Sequence, residues 1–151
     1  MLKERYTIDN QKEIVVFVLG MRVHKLLQIH RWLPIMTSMS VMLRELYTNK
    51  QLGFLHGEFL FSWRGITLLQ YWESYDHLEA YAYNDNHMHI WKYFNQNVAK
   101  RKAVGIFHET YLVEAQKYEA IYNHMPRFGL AHAMPLKQVD RDINKSRERL
   151  R

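Results

Sequence analysis

Apolar residues occupy both alternating positions of the stretch from Phe54 to Trp72, the most informative segment of the chain. Arg64 and Gly65 interrupt it, and glycine can supply the positive φ that a two-residue hairpin loop needs. The pattern therefore predicts two paired strands. One face would carry Phe59, Phe61, Trp63, Ile66, Leu68, Gln70 and Trp72, and the other His56, Glu58, Leu60, Ser62, Thr67, Leu69, Tyr71 and Glu73. Because both faces are largely apolar, we expect both to be covered.

Two further segments have the β-branched, apolar composition of strands. The first is Glu13–Val23, which is apolar at both parities until Arg22 interrupts it. The second is Val104–Val113. One face of it would show Val104, Ile106, His108, Thr110 and Leu112, and the other Phe107, Glu109, Tyr111 and Val113. A charged side chain in such a strand needs compensation, so Arg22 either emerges at the sheet edge or holds a ligand group.

Between these strands the apolar spacing changes to that of helices. A stripe of apolar residues three or four apart predicts a helix over Pro34–Tyr47, with the proline in the first turn, where its missing N–H costs nothing. Ser74 is a candidate N-cap for a second helix. Asn84–Asn86 should end that helix, and a third helical segment is expected over His87–Arg101.

The resulting order is β-α-β-β-α-β, which predicts an α+β protein with the ferredoxin-like arrangement of an antiparallel sheet and helices on one face. Tyr118–His124 adds a short fifth strand. The expected organisation is an N-terminal extension (1–12), one domain (13–136) and a basic tail (137–151). Helices would cover only one face of a sheet that is apolar on both, so we expect a homodimer in which two sheets pack face to face.

Composition excludes several classes of protein. The 151 residues contain no cysteine, which excludes disulfide frameworks and thiolate chemistry and favours a cytoplasmic protein. No segment predicts a signal peptide or a membrane span. The net charge is +6, and the tail from Lys137 contributes half of it, with six basic and three acidic residues. Such a tail is typically solvated and frayed. The basic aromatic motif of RNA-recognition modules is missing, so no nucleic-acid partner is expected.

Taken in order, the motifs resemble those of a known family. The segments that carry the resemblance are Val15–Val23, Trp32–Pro34, Met42–Leu46, Trp63–Ser74, Leu78–Ala82, His87 with Trp91, Phe94–Asn95, Val104–Tyr111, Tyr118–Tyr122 and Met125–Leu130. They are similar to a family of small bacterial and fungal proteins named for a fungal secondary-metabolism monooxygenase. That family belongs to the dimeric α+β barrel superfamily, with the antibiotic-biosynthesis monooxygenases and certain haem-degrading enzymes. The resemblance implies the ferredoxin-like fold, the dimer and a monooxygenase-like activity.

His108 is the best candidate for a catalytic group, since it lies in the middle of a strand among apolar neighbours. A neutral imidazole can take a proton from a phenol or an enol. Oxygenation without a cofactor, in the superfamily that the chain resembles, is thought to begin with such a deprotonation. On this hypothesis Arg22 polarises the oxygen of a small hydrophobic or aromatic substrate and Gln70 adds a hydrogen bond. Trp63, Trp72 and Tyr71 would wall the substrate pocket.

Two alternatives remain open from the sequence. His87 and Trp91 are four residues apart on the third helix, where similar haem-degrading proteins place their axial histidine. Haem is therefore a possible cofactor on this alternative, whereas the first hypothesis needs no cofactor. The other alternative is a dimeric small-molecule binder without activity. No metal site is expected, because the neighbouring histidines His87 and His89 point about 200° apart on a helix.

Overall fold

The computed structural model describes residues 2–97 and 102–150. The strands in this part of the chain are β1 (Arg5–Ile8), β2 (Ile14–Val23), β3 (Phe54–Ser62), β4 (Gly65–Trp72), β5 (Val104–Val113), β6 (Tyr122–Asn123) and β7 (Leu136–Gln138). The helices are α1 (Ile29–Thr48), α2 (Tyr75–Ala82), α3 (Asp85–Asn97), α4 (Leu130–Ala133) and α5 (Ser146–Arg149), with a 3-10 turn at Lys50–Leu52. None of these helices is long and apolar enough to cross a membrane.

The main sheet is antiparallel, with the strand order β3-β4-β2-β5. Register fixes which side chains share a face: Leu19 of β2 lies between Leu68 of β4 and His108 of β5. This face packs against α1, α2 and α3, with Trp72 fully buried at the end of β4. The antiparallel sheet with α1, α2 and α3 on one face confirms the predicted α+β, ferredoxin-like fold.

The β3–β4 hairpin forms as predicted, but its loop lies one residue earlier. The loop is Trp63–Arg64, Arg64 takes the positive φ of 64°, and Gly65 pairs with Ser62 inside the ladder. A Cβ atom at Gly65 would lie 2.8 Å from the carbonyl oxygen of Met21, so the glycine serves a close approach of backbones and not the turn. The one-residue shift preserves parity, so the two predicted faces are correct.

The helices differ from the predicted bounds mainly at their ends. α1 begins at Ile29 and therefore contains Pro34, whose carbonyl oxygen accepts hydrogen bonds from the Thr37 and Ser38 hydroxyls. The start at Pro34 was thus wrong by about one turn. The predicted N-cap is confirmed, since the Ser74 side chain accepts the backbone N–H of His77. α3 is described to Asn97, and its predicted continuation to Arg101 lies outside the described residues.

The second face of the main sheet is partly covered by the chain itself. β6, β1 and β7 form a small antiparallel sheet, and its side chains join α4 in packing against Ile14 and Tyr71. Within the N-terminal extension (1–12), Arg5–Ile8 is the central strand of this small sheet. Within the predicted strand Tyr118–His124, residues Tyr122–Asn123 form β6, which pairs with β1. The remaining part of the face exposes Leu60, Phe107 and Tyr111.

The basic C-terminal tail is docked and not frayed. Arg149 is 9% exposed, donates to the Glu119 carboxylate at 2.8 Å, and donates to the carbonyl oxygens of Ile143 and Asn144. Its own carbonyl oxygen accepts the side-chain amide of Asn10 at 2.6 Å. These contacts tie the last helix to the residues that follow β1 and to those that precede β6.

Candidate functional site

A cavity of about 410 Å³ lies between the helix-facing side of the main sheet and helices α1, α2 and α3. Its floor is formed by β2, β4 and β5, and its walls are apolar side chains of the helices. They include Met39, Leu43, Tyr81, Met88, Trp91 and Phe94. The volume lies in the range of small-molecule sites, and the mainly apolar lining with few polar groups is typical of them.

Gln70 is a buried polar group on the cavity floor. It is 6% exposed, and its Oε1 accepts the indole N–H of Trp72 at 2.8 Å. This hydrogen bond fixes the amide, so the Nε2 hydrogens are the part of Gln70 left for a ligand. Trp72 thus has two roles, since it fills the core and orients the amide. Both residues were predicted for the site, but the bond between them was not.

His108 lies on the same floor, on the edge strand β5. It is exposed in the single chain, and its ring lies 5.7 Å from that of Phe17. Gln70 and His108 flank the central strand β2 from opposite sides, because Phe17 pairs with Gln70 and Leu19 pairs with His108. Two strand spacings and an offset of two residues along the strands separate them, roughly 12 Å. A compound lying over Phe17 and Leu19 can therefore contact both.

His87 enters the cavity from the first turns of α3. Its Nδ1 lies 2.8 Å from the carbonyl oxygen of Ala82, and its backbone N–H donates to the Asn84 side chain. Because a carbonyl oxygen only accepts, Nδ1 carries the proton, and Nε2 keeps a free lone pair. This is the arrangement in which histidines bind metals. Together with Trp91 on the same wall, His87 has the donor atom that haem iron would need.

The hydroxyl groups of Tyr81 and Ser38 at the cavity are already engaged. Tyr81 donates towards Met42 and Glu45, and burial followed by the nearby Glu45 charge raises its pKa well above the ordinary value. Ser38 donates to the Pro34 carbonyl oxygen. Tyr81 therefore remains protonated and cannot act as a base. Among the described cavity residues, the candidates for accepting a proton are His87, His108 and the carboxylate of Glu79.

Three of the residues predicted for the site lie elsewhere. Arg22 is exposed on the other face of the sheet, and Trp63 is 83% exposed in the hairpin loop. Tyr71 also faces away from the cavity, in the cluster under the small sheet, where burial and the charges of Tyr122 and Glu58 raise its pKa to about 12. The structure therefore brings together His108, Gln70, Trp72, His87 and Trp91, but not these three.

Sequence reasoning missed the cavity residues of α2. Tyr81 was placed in a helix without any role, yet its ring packs near both Trp72 and His87, with centroids 5.7 and 5.9 Å away. The signal was present in the predicted helix itself, because Tyr81 and Leu78 lie three residues apart on the face that points to the sheet.

The chain is similar to one known protein family and to several solved structures. The profile of the family described as "Monooxygenase af470-like" matches residues 14–130. No curated protein sequence matches the chain. An aldoxime dehydratase structure is similar with 20% identity and a TM-score of 0.69, covering 88% of this chain and 42% of that one.

Two other solved structures are similar at low identity. An aldoxime dehydratase in complex with butyraldoxime has 16% identity and a TM-score of 0.69, covering 82% of this chain and 38% of that one. The cofactor-independent oxygenase SnoaB from Streptomyces nogalater has 13% identity and a TM-score of 0.47, covering 66% of this chain and 91% of that one. At these identities the aldoxime dehydratases share the fold, and this chain spans about two-fifths of their length.

Proposed function

The chain belongs to the monooxygenase af470-like family, and we propose on that premise that it is a cofactor-independent monooxygenase. The substrate would be a small hydrophobic or aromatic compound with an acidic O–H or C–H group. The observation that carries this function is the cavity floor, where His108 and the oriented amide of Gln70 flank an apolar strand. One group accepts a proton and the other donates hydrogen bonds, while the surrounding walls are apolar.

The reaction that suits this floor is oxidation of an activated methylene group. His108 removes a proton, and the Gln70 amide stabilises the charge that develops on the substrate oxygen. The carbanion then transfers electrons to O₂, a C–O bond forms, and the O–O bond breaks. The carbon loses two hydrogens and gains one oxygen as a carbonyl, while the other oxygen leaves as water. The substrate supplies all four electrons, so no external reductant is required.

A homodimer is part of the proposal. The uncovered part of the sheet exposes Leu60, Phe107 and Tyr111 at 40%, 49% and 50%, a patch that a second copy would bury. Arg22 lies on that face as well and is given no part in proton transfer.

Oxygen uptake tests the function. We would screen phenols, enols and activated methylene compounds with protein that has been treated with a chelator and contains no haem. A His108→Ala variant should lose most of the turnover, by about 10²–10⁴-fold for a general base. His89→Ala is the matched control, because His89 is exposed on α3 and does not line the cavity. Equal turnover by the His108→Ala variant and the wild type would remove His108 from its role.

Haem binding through His87 is the second candidate, favoured by the free Nε2 lone pair described above. His87 would hold the iron, Trp91 would lie beside the porphyrin, and bound haem would supply redox chemistry with O₂. Adding hemin to the purified protein separates the two candidates. A stoichiometric Soret band that His87→Ala abolishes would favour haem, while hemin that does not bind specifically would leave the cofactor-free reaction.

A further inference from the structure

A second polar cluster lies on the other face of the sheet, away from the cavity. It consists of His56 and Glu58, two residues apart on β3, and His132 on α4. One donor atom from each of these three side chains lies within 4.8 Å of the other two. His56 and Glu58 are largely shielded, with side chains 15% and 22% exposed, and His132 closes the cluster from the solvent side.

The hydrogen bonds around Tyr47 determine the tautomer of His56. The Tyr47 hydroxyl donates to the carbonyl oxygen of Gly57 at 2.9 Å and accepts the Gly57 N–H at 3.1 Å. Nδ1 of His56 lies 3.0 Å from the same oxygen. With the hydroxyl proton on the Gly57 carbonyl oxygen, Nδ1 is the donor of this bond. The assignment leaves the lone pair of Nε2 pointing into the cluster.

That lone pair faces a carboxylate. Nε2 of His56 lies 2.9 Å from Oε1 of Glu58, and the same Oε1 accepts the backbone N–H of Gly129 at 3.0 Å. A glutamate side chain is ordinarily ionised at neutral pH. Two acceptor atoms this close require a cation between them, either a proton or a metal ion.

His132 favours the metal ion over the proton. Its ring is stacked on that of His56, with centroids 4.5 Å apart and planes inclined by 28°. A proton held between His56 and Glu58 needs no third group, whereas a metal ion needs several donors converging on one point. Two imidazoles and one carboxylate are a usual set for three protein ligands, and a water completes the tetrahedron. The Tyr47 hydroxyl supplies the outer hydrogen bond that metal-binding histidines make.

We propose that His56, Glu58 and His132 bind a divalent transition-metal ion, for which Zn²⁺ is the best match to two nitrogen donors and one oxygen donor. The ion would tie α4 to the edge strand β3 and hold the C-terminal segment over the second face of the sheet. It would lie on the opposite side of the sheet from the cavity, so its binding is independent of the oxygenase reaction.

Zinc titration of the full-length, chelator-treated protein tests this site. We expect one Zn²⁺ per chain by isothermal titration and a visible absorption band of tetrahedral Co²⁺ when cobalt replaces zinc. His132→Ala should weaken binding at least about tenfold. Glu58→Gln should do the same. The control is His124→Asn, an exposed histidine of the same segment whose positive φ of 51° asparagine tolerates.

Thermal unfolding gives the second readout. Zinc should raise the melting temperature of the wild type and the His124→Asn variant, and should leave that of His132→Ala unchanged, because binding to the folded state alone stabilises it. If the wild type binds no zinc, the cluster is a protonated His56–Glu58 ion pair and the metal site is refuted. Equal zinc binding by the wild type and His132→Ala would refute it too, since the ion would then be bound elsewhere.

Discussion

Replacing Arg149 by methionine should destabilise the protein, although this residue is the third from the end of the chain. The substitution keeps an apolar stem but removes three hydrogen bonds, one to the Glu119 carboxylate and two to the carbonyl oxygens of Ile143 and Asn144. The side chain that donates them is 7% exposed, so water does not replace them easily.

The expected loss can be estimated from these contacts. A hydrogen bond to a charged group contributes about 1.5–3 kcal/mol and a neutral one about 1 kcal/mol, but the Glu119 carboxylate can be partly rehydrated. We therefore expect a decrease of about 3 kcal/mol in the free energy of unfolding. For a domain of this size, that corresponds to a fall in melting temperature of roughly 6–12 °C. Urea unfolding followed by circular dichroism measures the first quantity, and a thermal scan the second.

The pH dependence identifies the ion pair. The Arg149 hydrogen bond is the main cause that holds the pKa of Glu119 below its ordinary value of 4.5, outweighing partial burial. A lowered pKa means that the contribution is fully present at pH 7 and disappears as the pH falls through the lowered value in the folded protein. The difference in free energy of unfolding between the wild type and Arg149→Met should therefore become smaller at acidic pH.

Arg147→Met is the matched control, because Arg147 lies on the same short helix and is exposed. It should change the free energy of unfolding by no more than about 0.5 kcal/mol. Equal stability of the two variants at pH 7 would show that the tail does not dock as described, and would contradict the reasoning.

Three further substitutions test the rest of the structure. Trp72→Phe leaves Oε1 of Gln70 without a donor and opens a small cavity, so urea unfolding should show a loss of about 2–4 kcal/mol. Ser74→Ala removes the N-cap of α2 and should cost about 1 kcal/mol in the same assay. Phe107→Ser should shift a dimer towards monomer in light scattering, and a wild type that is already monomeric would refute the proposed dimer.

The strands and their faces could be predicted because side chains alternate between the two faces of a strand, and this alternation is visible in the sequence. Ile14–Val23 and Val104–Val113 have the predicted bounds to within a residue. The β3–β4 hairpin shows why, since moving its loop by one residue shifted every pair but left Phe59 and Phe61 on the face of Ile66 and Leu68. Loop positions depend on backbone contacts such as that of Gly65 with Met21, which the sequence does not display.

Contacts between distant segments were the part that could not be predicted. The cover of the second face depends on β1 pairing with β6 and β7, more than a hundred residues away. The cluster of His56, Glu58 and His132 arises in the same way, since the spacing of histidines on one helix gave no reason to expect a metal site. Arg22 was predicted from its residue type to polarise the substrate oxygen, yet its position in the alternation of β2 places it on the face opposite to the cavity.

Isotope labelling tests the central claim, that the cavity supports oxygenation without a cofactor. A compound that the protein turns over is incubated under ¹⁸O₂ with chelator-treated, haem-free protein, and the product is analysed by mass spectrometry. We predict a product that carries one ¹⁸O atom, formed by the wild type and lost in His108→Ala. An unlabelled product, or labelling that appears only after hemin is added and disappears in His87→Ala, would contradict the account.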